Sequence, residues 1–362
     1  MAAWHVIAGE YPPAPGGVSD HARLLAAALG DARVWTTPAD GEAPDDPGVA
    51  VDREAGRWTG RGLRRLSMRL DEHPAPRRLL VHYTPNAWGY RGMNLGLGRW
   101  LRRRAARGDA VWSMVHEPFY EPAPGDGAAR WLLAAAHRRM IRDVLAASTR
   151  VFAPTPTLAP RLAPYTDKPV VWLPAFSNVP VAGPPRAGPP GGRIGCFGTF
   201  APPTCRALSA LLPILLEGRP GRSALLIGRG GGPLAAALGG RVEATGGLPA
   251  GGLSAAIASC DLMVQPYGDG VCARRTTAMA GLAHGVALAT NSGVNTEPLW
   301  AASGAVALAV GADPRALAKA AEAALSDDDG RARLAAAGRD LYGRCFDLRR
   351  AVETLRGAAD GR

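Results

Sequence analysis

Short apolar segments alternate with amphipathic helical ones from end to end, and few architectures accept that pattern. In the first half the expected strands are Trp4–Ala8, Arg33–Thr37, Leu79–Tyr83, Val111–His116, Val151–Pro154 and Val170–Leu173. Helical periodicity fills gaps between them at Ser19–Leu29, Leu95–Arg107 and Ala128–Ala147. Strands that are apolar throughout are buried on both faces, and helices between them supply the cover. The pattern predicts a doubly wound α/β sheet with parallel strands.

Val179 to Gly192 is almost entirely Pro, Gly, Ala and Val and interrupts the alternation. The pattern then restarts with strands at Ile194–Phe197, Ala224–Ile227, Val242–Thr245, Leu262–Val264, Ala287–Thr290 and Ala305–Val310. Helices are expected at Thr204–Leu216, Leu234–Leu238, Gly252–Ser259, Thr276–His284 and Pro314–Leu325, with a charged helical tail over Gly330–Leu355. At 362 residues two cores are the default. The expected division is an acceptor-side domain over 1–176, a linker over 177–192, a ligand-binding domain over 193–340, and a helical tail over 341–362 that packs back on the first domain. Ligands are expected at the carboxyl ends of the strands, in a cleft that the two sheets face.

Net charge is +11, nearly all of it arginine, since Lys168 and Lys319 are the only lysines. This fits a high-GC codon bias, and equally attraction to phosphorylated ligands or an anionic membrane face. Basic residues gather at Arg61, Arg64, Arg65, Arg69, Arg77, Arg78, Arg102, Arg103, Arg104 and Arg107, with no nucleic-acid motif beside them. The five cysteines have neither paired nor metal-ligand spacing. The first residues lack the basic and apolar regions of a secretory signal, and no apolar run reaches membrane-spanning length. A cytoplasmic protein is expected, with peripheral membrane association as an option.

The richest stretch runs from Asp261 to Gly285. An apolar strand ends in Pro266-Tyr267-Gly268, then presents Asp269, Gly270, Arg274 and Arg275 before a small-residue helix. Free N–H groups at a helix start, with two guanidiniums, make an anion site. Asp269 can address hydroxyls beside that anion, and phosphate plus hydroxyls suggests a sugar nucleotide. Gly9 to His21 joins the first strand to the first helix, and there Gly16 and Gly17 allow close backbone approach, unless the loop is a plain connection. Gly228-Arg229-Gly230 also follows a strand, but Pro233 spoils a dinucleotide fingerprint. His116 ends a strand, with Glu117 as its candidate partner. Thr296 and Glu297 sit at a helix start, where the carboxylate caps the helix or holds a ribose diol. Asn86, Trp88 and Tyr90 form a loop whose aromatics, if exposed, suit an acceptor sugar or lipid. Asp327 to Asp329 and Asp45-Asp46 read as solvated loops.

Taken in order, these motifs resemble the GT-B glycosyltransferases, and among them the retaining family-4-like group, over essentially the whole chain. The carriers are Tyr11-Pro12-Pro13 with Gly16-Gly17 and Asp20, His116-Glu117, Phe197 to Phe200, Ile227 to Gly230, Asp269-Gly270 with Arg274-Arg275, Ala283 to Val286, and Thr296 to Trp300. The resemblance implies two Rossmann-like domains and transfer from a nucleotide-diphosphate sugar, with retention, without metal or other cofactor. It assigns Gly16, Gly17, Gly228, Gly230, Arg206, Arg274, Arg275, Thr296 and Glu297 to the donor and its phosphates. His116, Asp269 and Glu117 would be catalytic, and Asp20, Asn86, Trp88 and Tyr90 would face the acceptor. That acceptor is a glycan, lipid-linked or small-molecule one, as in bacterial polysaccharide biosynthesis, with no nucleic acid as partner.

The chain departs from the pattern in two places. For the family's pair of acids eight residues apart, anchoring on Ala283 to Gly285 puts Cys272 and Ala280 at the two positions and anchoring on Asp269 puts Thr277 at the second, so either way the second acid is missing. The family's Arg and Lys pair after the first strand of the second domain is reduced to Arg206, so that Arg274 and Arg275 are left to supply the charge. Two other readings therefore stand beside the transferase: a catalytically degenerate sugar-nucleotide binder, and a GT-B sugar-nucleotide epimerase.

Overall fold

The computed structural model describes residues 4–183 and 192–359. Most of the interrupting Pro/Gly segment, residues 184–191, lies outside the described residues. The chain divides into two compact units: residues up to Pro174 with those from Ala351 on, and Ala175–Arg350.

The first unit contains β1 (Trp4–Ala8), α1 (Gly17–Leu29), β2 (Ala32–Trp35), β3 (Val49–Asp52), α2 (Gly60–Asp71), β4 (Arg78–Tyr83), α3 (Leu95–Ala106), β5 (Ala110–Val115), α4 (Ala128–Ala147), β6 (Arg150–Ala153), α5 (Ala159–Leu162) and β7 (Val170–Trp172). Its seven parallel strands run in the order β3-β2-β1-β4-β5-β6-β7. β1 is buried at every position, and β4 and β5 at all but their first, as apolar strands covered on both faces must be. β3 and α2 were not anticipated. β3 is four residues inside a Pro/Gly-rich stretch, and α2 is dominated by arginine. Even so, Leu63, Leu66 and Leu70 of α2 keep helical spacing and are buried, and Thr59 caps the helix by accepting from the Gly62 N–H at 3.2 Å.

The second unit contains β8 (Arg193–Phe197), α6 (Pro202–Leu216), β9 (Ser223–Ile227), α7 (Gly232–Leu238), β10 (Val242–Gly246), α8 (Ala250–Ala258), β11 (Leu262–Gln265), α9 (Thr276–Ala283), β12 (Ala287–Asn291), α10 (Pro298–Ala302), β13 (Ala307–Ala309), α11 (Pro314–Ser326) and α12 (Asp328–Leu341). Its six parallel strands follow β10-β9-β8-β11-β12-β13. Apolar clusters pack on both sides of this sheet. Leu208, Leu211, Leu212 and Leu215 of α6 belong to one, and Met279 and Leu282 of α9 to the other. The acidic run at Asp327 is a helix start rather than a loop. Asp327 accepts from the Gly330 N–H at 2.8 Å, and Asp328 and Asp329 fill the first turn of α12, where negative charge is favourable.

A last helix, α13 (Leu348–Ala359), takes the chain into the first unit from Ala351 on. There Arg356 donates to the Leu29 carbonyl at 2.9 Å, and Val352 and Leu355 are buried.

In each sheet the strand order reverses once, between β1 and β4 in the first and between β8 and β11 in the second. At such a switch point adjacent loops part to opposite faces and leave a crevice at the carboxyl ends of the strands. Asp269 follows β11 at this edge of the second sheet, and His82 and His116 lie at the corresponding edge of the first.

Candidate functional site

In the second unit, the loop after β11 carries Asp269. Its carboxylate accepts from Arg274 Nη2 at 3.2 Å, from Arg275 Nη2, and from Asn295 Nδ2 at 2.6 Å. Burial works to raise the Asp269 pKa, but Arg275, the Asn295 hydrogen bond and Arg274 outweigh it and hold the carboxyl below its ordinary range. The Arg275 guanidinium lies 4.7 Å from the centroid of the Tyr267 ring, a cation–π contact, while the Tyr267 hydroxyl pairs with Thr277 Oγ1 at 2.7 Å. Arg275 Nε is buried and has no hydrogen-bond partner among the described residues. No side chain caps α9, which starts one residue later.

Of these groups, Tyr267, Asp269 and Arg275 border a depression of about 470 Å³, which Arg274 and Asn295 do not line. Tyr267, Gly268, Asp269 and Arg275 form one wall, Pro203, Thr204 and Leu211 of α6 another, and Asp313, Pro314 and Leu317 of α11 a third. α6 follows β8, and the Asp269 loop follows β11, so the depression opens at the switch point of this sheet.

Two glycines let the flanking loops close on each other. Gly270 has φ +87°, and a Cβ there would overlap the Gly293 backbone, just as one on Gly293 would overlap Asp269. Thr296 Oγ1 accepts from the Gly293 N–H at 2.9 Å and so serves this loop contact. Glu297 is buried; its two oxygens accept from the Ala273 N–H at 3.1 and 3.2 Å, and one of them from Trp300 Nε1 at 2.8 Å. Burial pushes its pKa above the usual carboxylate range. Glu297 does not cap its helix by a side-chain hydrogen bond; it is a strut across two loops.

Gly228 (φ +113°) and Gly230 (φ +88°) sit against the carbonyls of Gly198 and Thr199, which explains their lack of side chains by loop packing alone. Arg206 is exposed on α6 and does not line the depression.

In the first unit, His82 at the end of β4 is in register with Ala8 of β1 and Met114 of β5, and His116 follows β5 directly. His82 Nδ1 meets His116 Nε2 at 3.0 Å, with the rings stacked 5.3 Å apart. His21 of α1 sets its ring edge-on to both, at 5.4 and 5.1 Å. Burial pushes His116 down to about 4, and His21 and His82 well below their ordinary value. A neighbour found for His116 is His82, and Glu117 is an exposed residue. His21 and His82 were missed by the sequence reading. The available signal was that His82, like His116, ends a strand at the carboxyl edge.

Gly16 and Gly17 are exposed at the start of α1, with Asp20 in its first turn. Asn86 and Tyr90 are exposed, as expected of their loop. Trp88 corrects the expectation: it is fully buried, with its ring 4.8 Å from that of Trp58. A large apolar ring gains more from that packing than from solvent.

No protein-family model and no curated sequence matches this chain. Solved structures do. A sucrose-phosphate synthase from Thermosynechococcus elongatus is 15% identical with a TM-score of 0.71, over 100% of this chain and 99% of that one. WaaG, a glycosyltransferase involved in lipopolysaccharide biosynthesis, is 15% identical with a TM-score of 0.66, over 98% and 99%. Anabaena HepE in complex with UDP is 13% identical with a TM-score of 0.68, over 99% and 100%. The fold is therefore GT-B, with two Rossmann-like parallel-sheet domains.

Proposed function

We propose that this chain is a glycosyltransferase that takes its sugar from a nucleotide-diphosphate donor bound in the depression beside Arg275. The observation that supports this most strongly is Arg275 itself. It lines the pocket at the switch point of the second sheet, and a buried Nε–H there has no partner among the described residues. A phosphate oxygen would satisfy that donor once the guanidinium turns from Asp269 and Tyr267 toward the depression. Arg274, Arg275 and the uncapped start of α9 together oppose the charge that grows on a leaving diphosphate, which is where electrostatic stabilisation acts most. This is the work a metal ion does in other transferases, so metal-independent transfer is the reading at this end of the molecule. Asp269, held ionised, would turn from the arginines to the hydroxyls of the donor sugar as phosphate takes its place. Retention rests on the family resemblance. UDP bound to a neighbour of the same fold supports a nucleotide donor.

His116, Glu117 and the residues Asp20, Asn86 and Tyr90 remain the candidates on the first unit for sugar and acceptor. A lipid-linked acceptor is favoured by the face that α2 and α3 present. There Met68 and Leu95 are exposed among Arg64, Arg99, Arg103 and Arg107, a combination that suits an anionic lipid surface.

The reading is tested by incubating the purified chain with UDP-, GDP-, ADP- and dTDP-sugars, alone and with lipid-linked or soluble acceptors. Release of the nucleoside diphosphate that needs an acceptor is the expected result. Conversion of the donor with no acceptor and no release would establish an epimerase instead. Binding without either reaction would leave the degenerate binder.

A further inference from the structure

We propose that His21, His82 and His116 form a binding site for one divalent transition-metal ion, of the class of Zn²⁺, within the first unit. The site is assigned on geometry and stands apart from the transferase reading. One ring nitrogen from each histidine lies within 4.8 Å of the other two. Zn²⁺ bonds imidazole nitrogens at about 2.0–2.1 Å, so tetrahedral ligands lie about 3.3 Å from one another. His82 and His116 already stand 3.0 Å apart through one pair of nitrogens. The third needs a displacement of no more than about 1.5 Å, which rotation of one ring supplies.

The three residues come from three elements fixed independently: α1, the end of β4, and the residue after β5. His82 is fully buried, and its Nε2 has no hydrogen-bond partner among the described residues. A buried ring nitrogen in that state is an unspent donor or an unspent lone pair, and either is costly. The nitrogen of His82 that faces His116 is Nδ1, so His82 would ligate through Nδ1 and keep its hydrogen on Nε2; the proposal rests on the convergence of the three rings and not on that orphan. Neutral imidazole is the ligating form. Each ring gives one lone pair and keeps its single hydrogen on its other nitrogen, so no net proton is released. An all-imidazole set selects Zn²⁺, Co²⁺ or Ni²⁺ over Mg²⁺ and Ca²⁺, which prefer oxygen. Three protein ligands leave a fourth position for water or an incoming oxygen.

This departs from the expectation of a metal-free protein. That expectation concerns the diphosphate, which the arginines of the second unit serve. An ion on the first unit would instead fix the orientation of the His116 ring.

Co²⁺ titration of the full chain, stripped with chelator, is the test. The expected result is a visible d–d absorption that saturates at one ion per chain, is displaced by Zn²⁺ and ignores Mg²⁺. His21→Phe and His82→Phe fill the ring space without a nitrogen. Each should weaken binding by more than the ~10–100-fold that loss of an outer-shell group costs. His73→Ala should bind as the parent does. The proposal is overturned if folded parent protein gives no visible band, or if the band persists in a folded His21→Phe chain. A sulfur-to-cobalt charge-transfer band in the ultraviolet would assign the ion to cysteine and overturn it as well. Should both Phe variants fail to fold, the parent titration alone decides.

Discussion

Arg275→Ala is expected to cut sugar transfer by about 10²–10³-fold while leaving the fold intact, the loss typical for one preorganised donor to developing negative charge. Arg275 is only partly buried and belongs to neither apolar cluster of its unit, so little packing is lost. Its guanidinium instead joins the pocket lining to the Asp269 carboxylate and the Tyr267 ring. Removing it loses the Nε–H that the proposal gives to phosphate and half of the positive charge beside Asp269. Arg275→Lys should recover little, because an ammonium has neither the planar fork nor the same stacking on tyrosine. Arg219→Ala, which removes an exposed arginine paired with Glu322, serves as the charge control and should behave as the parent. The measurement is the rate of nucleoside diphosphate release at saturating acceptor. A rate within about threefold of the parent would remove Arg275 from the donor site.

Asp109→Ala should destabilise the protein by about 3–5 kcal/mol, the usual result of leaving buried charges without their partner. The Asp109 side chain is fully buried; one oxygen accepts from Arg77 Nη1 at 3.0 Å and the other from Arg104 Nε at 2.6 Å. Arg104 is itself 1% exposed, so neither water nor salt can replace the lost carboxylate. Asp71 is the contrast within the same network. It pairs with Arg104 at 2.7 Å and Arg107 at 3.1 Å but is 43% exposed, and Asp71→Ala should cost no more than about 1 kcal/mol. Urea denaturation of the three proteins measures the difference. Asp109 and Arg77 lie at the amino ends of β5 and β4, opposite the edge that bears His82 and His116. The loss should therefore appear in stability and not in donor affinity. An Asp109→Ala chain within about 1 kcal/mol of the parent would show that water reaches these arginines.

The strands were legible because both faces of each sheet are covered, so strands such as Val264 and its neighbours are apolar without alternation. α2 was not, because its arginines mask three leucines at helical spacing, and β3 was not, because Val49–Asp52 is too short to stand out from its Pro/Gly-rich surroundings. Asp269, Arg274 and Arg275 were legible as a local cluster, since one loop and one helix start hold all three. Asn295 was not. It reaches Asp269 only because Gly270 and Gly293 let two loops touch, and no sequence pattern encodes contact between loops 26 residues apart. The same holds for the histidines. Strand order brings His82 beside His116, and α1 lays His21 across both. Trp88 misled for the opposite reason: its polar neighbours suggest solvent, while Trp58, from before α2, covers it.

Thermal stability of the parent protein against the panel of nucleotide-diphosphate sugars tests the central claim most directly. A donor present at ~100 times its dissociation constant should add about 2.7 kcal/mol to stability. The account predicts a raised melting temperature with one nucleotide class, retained in Arg219→Ala and abolished in Arg275→Ala. No shift with any nucleotide, or a shift that Arg275→Ala leaves unchanged, would contradict it.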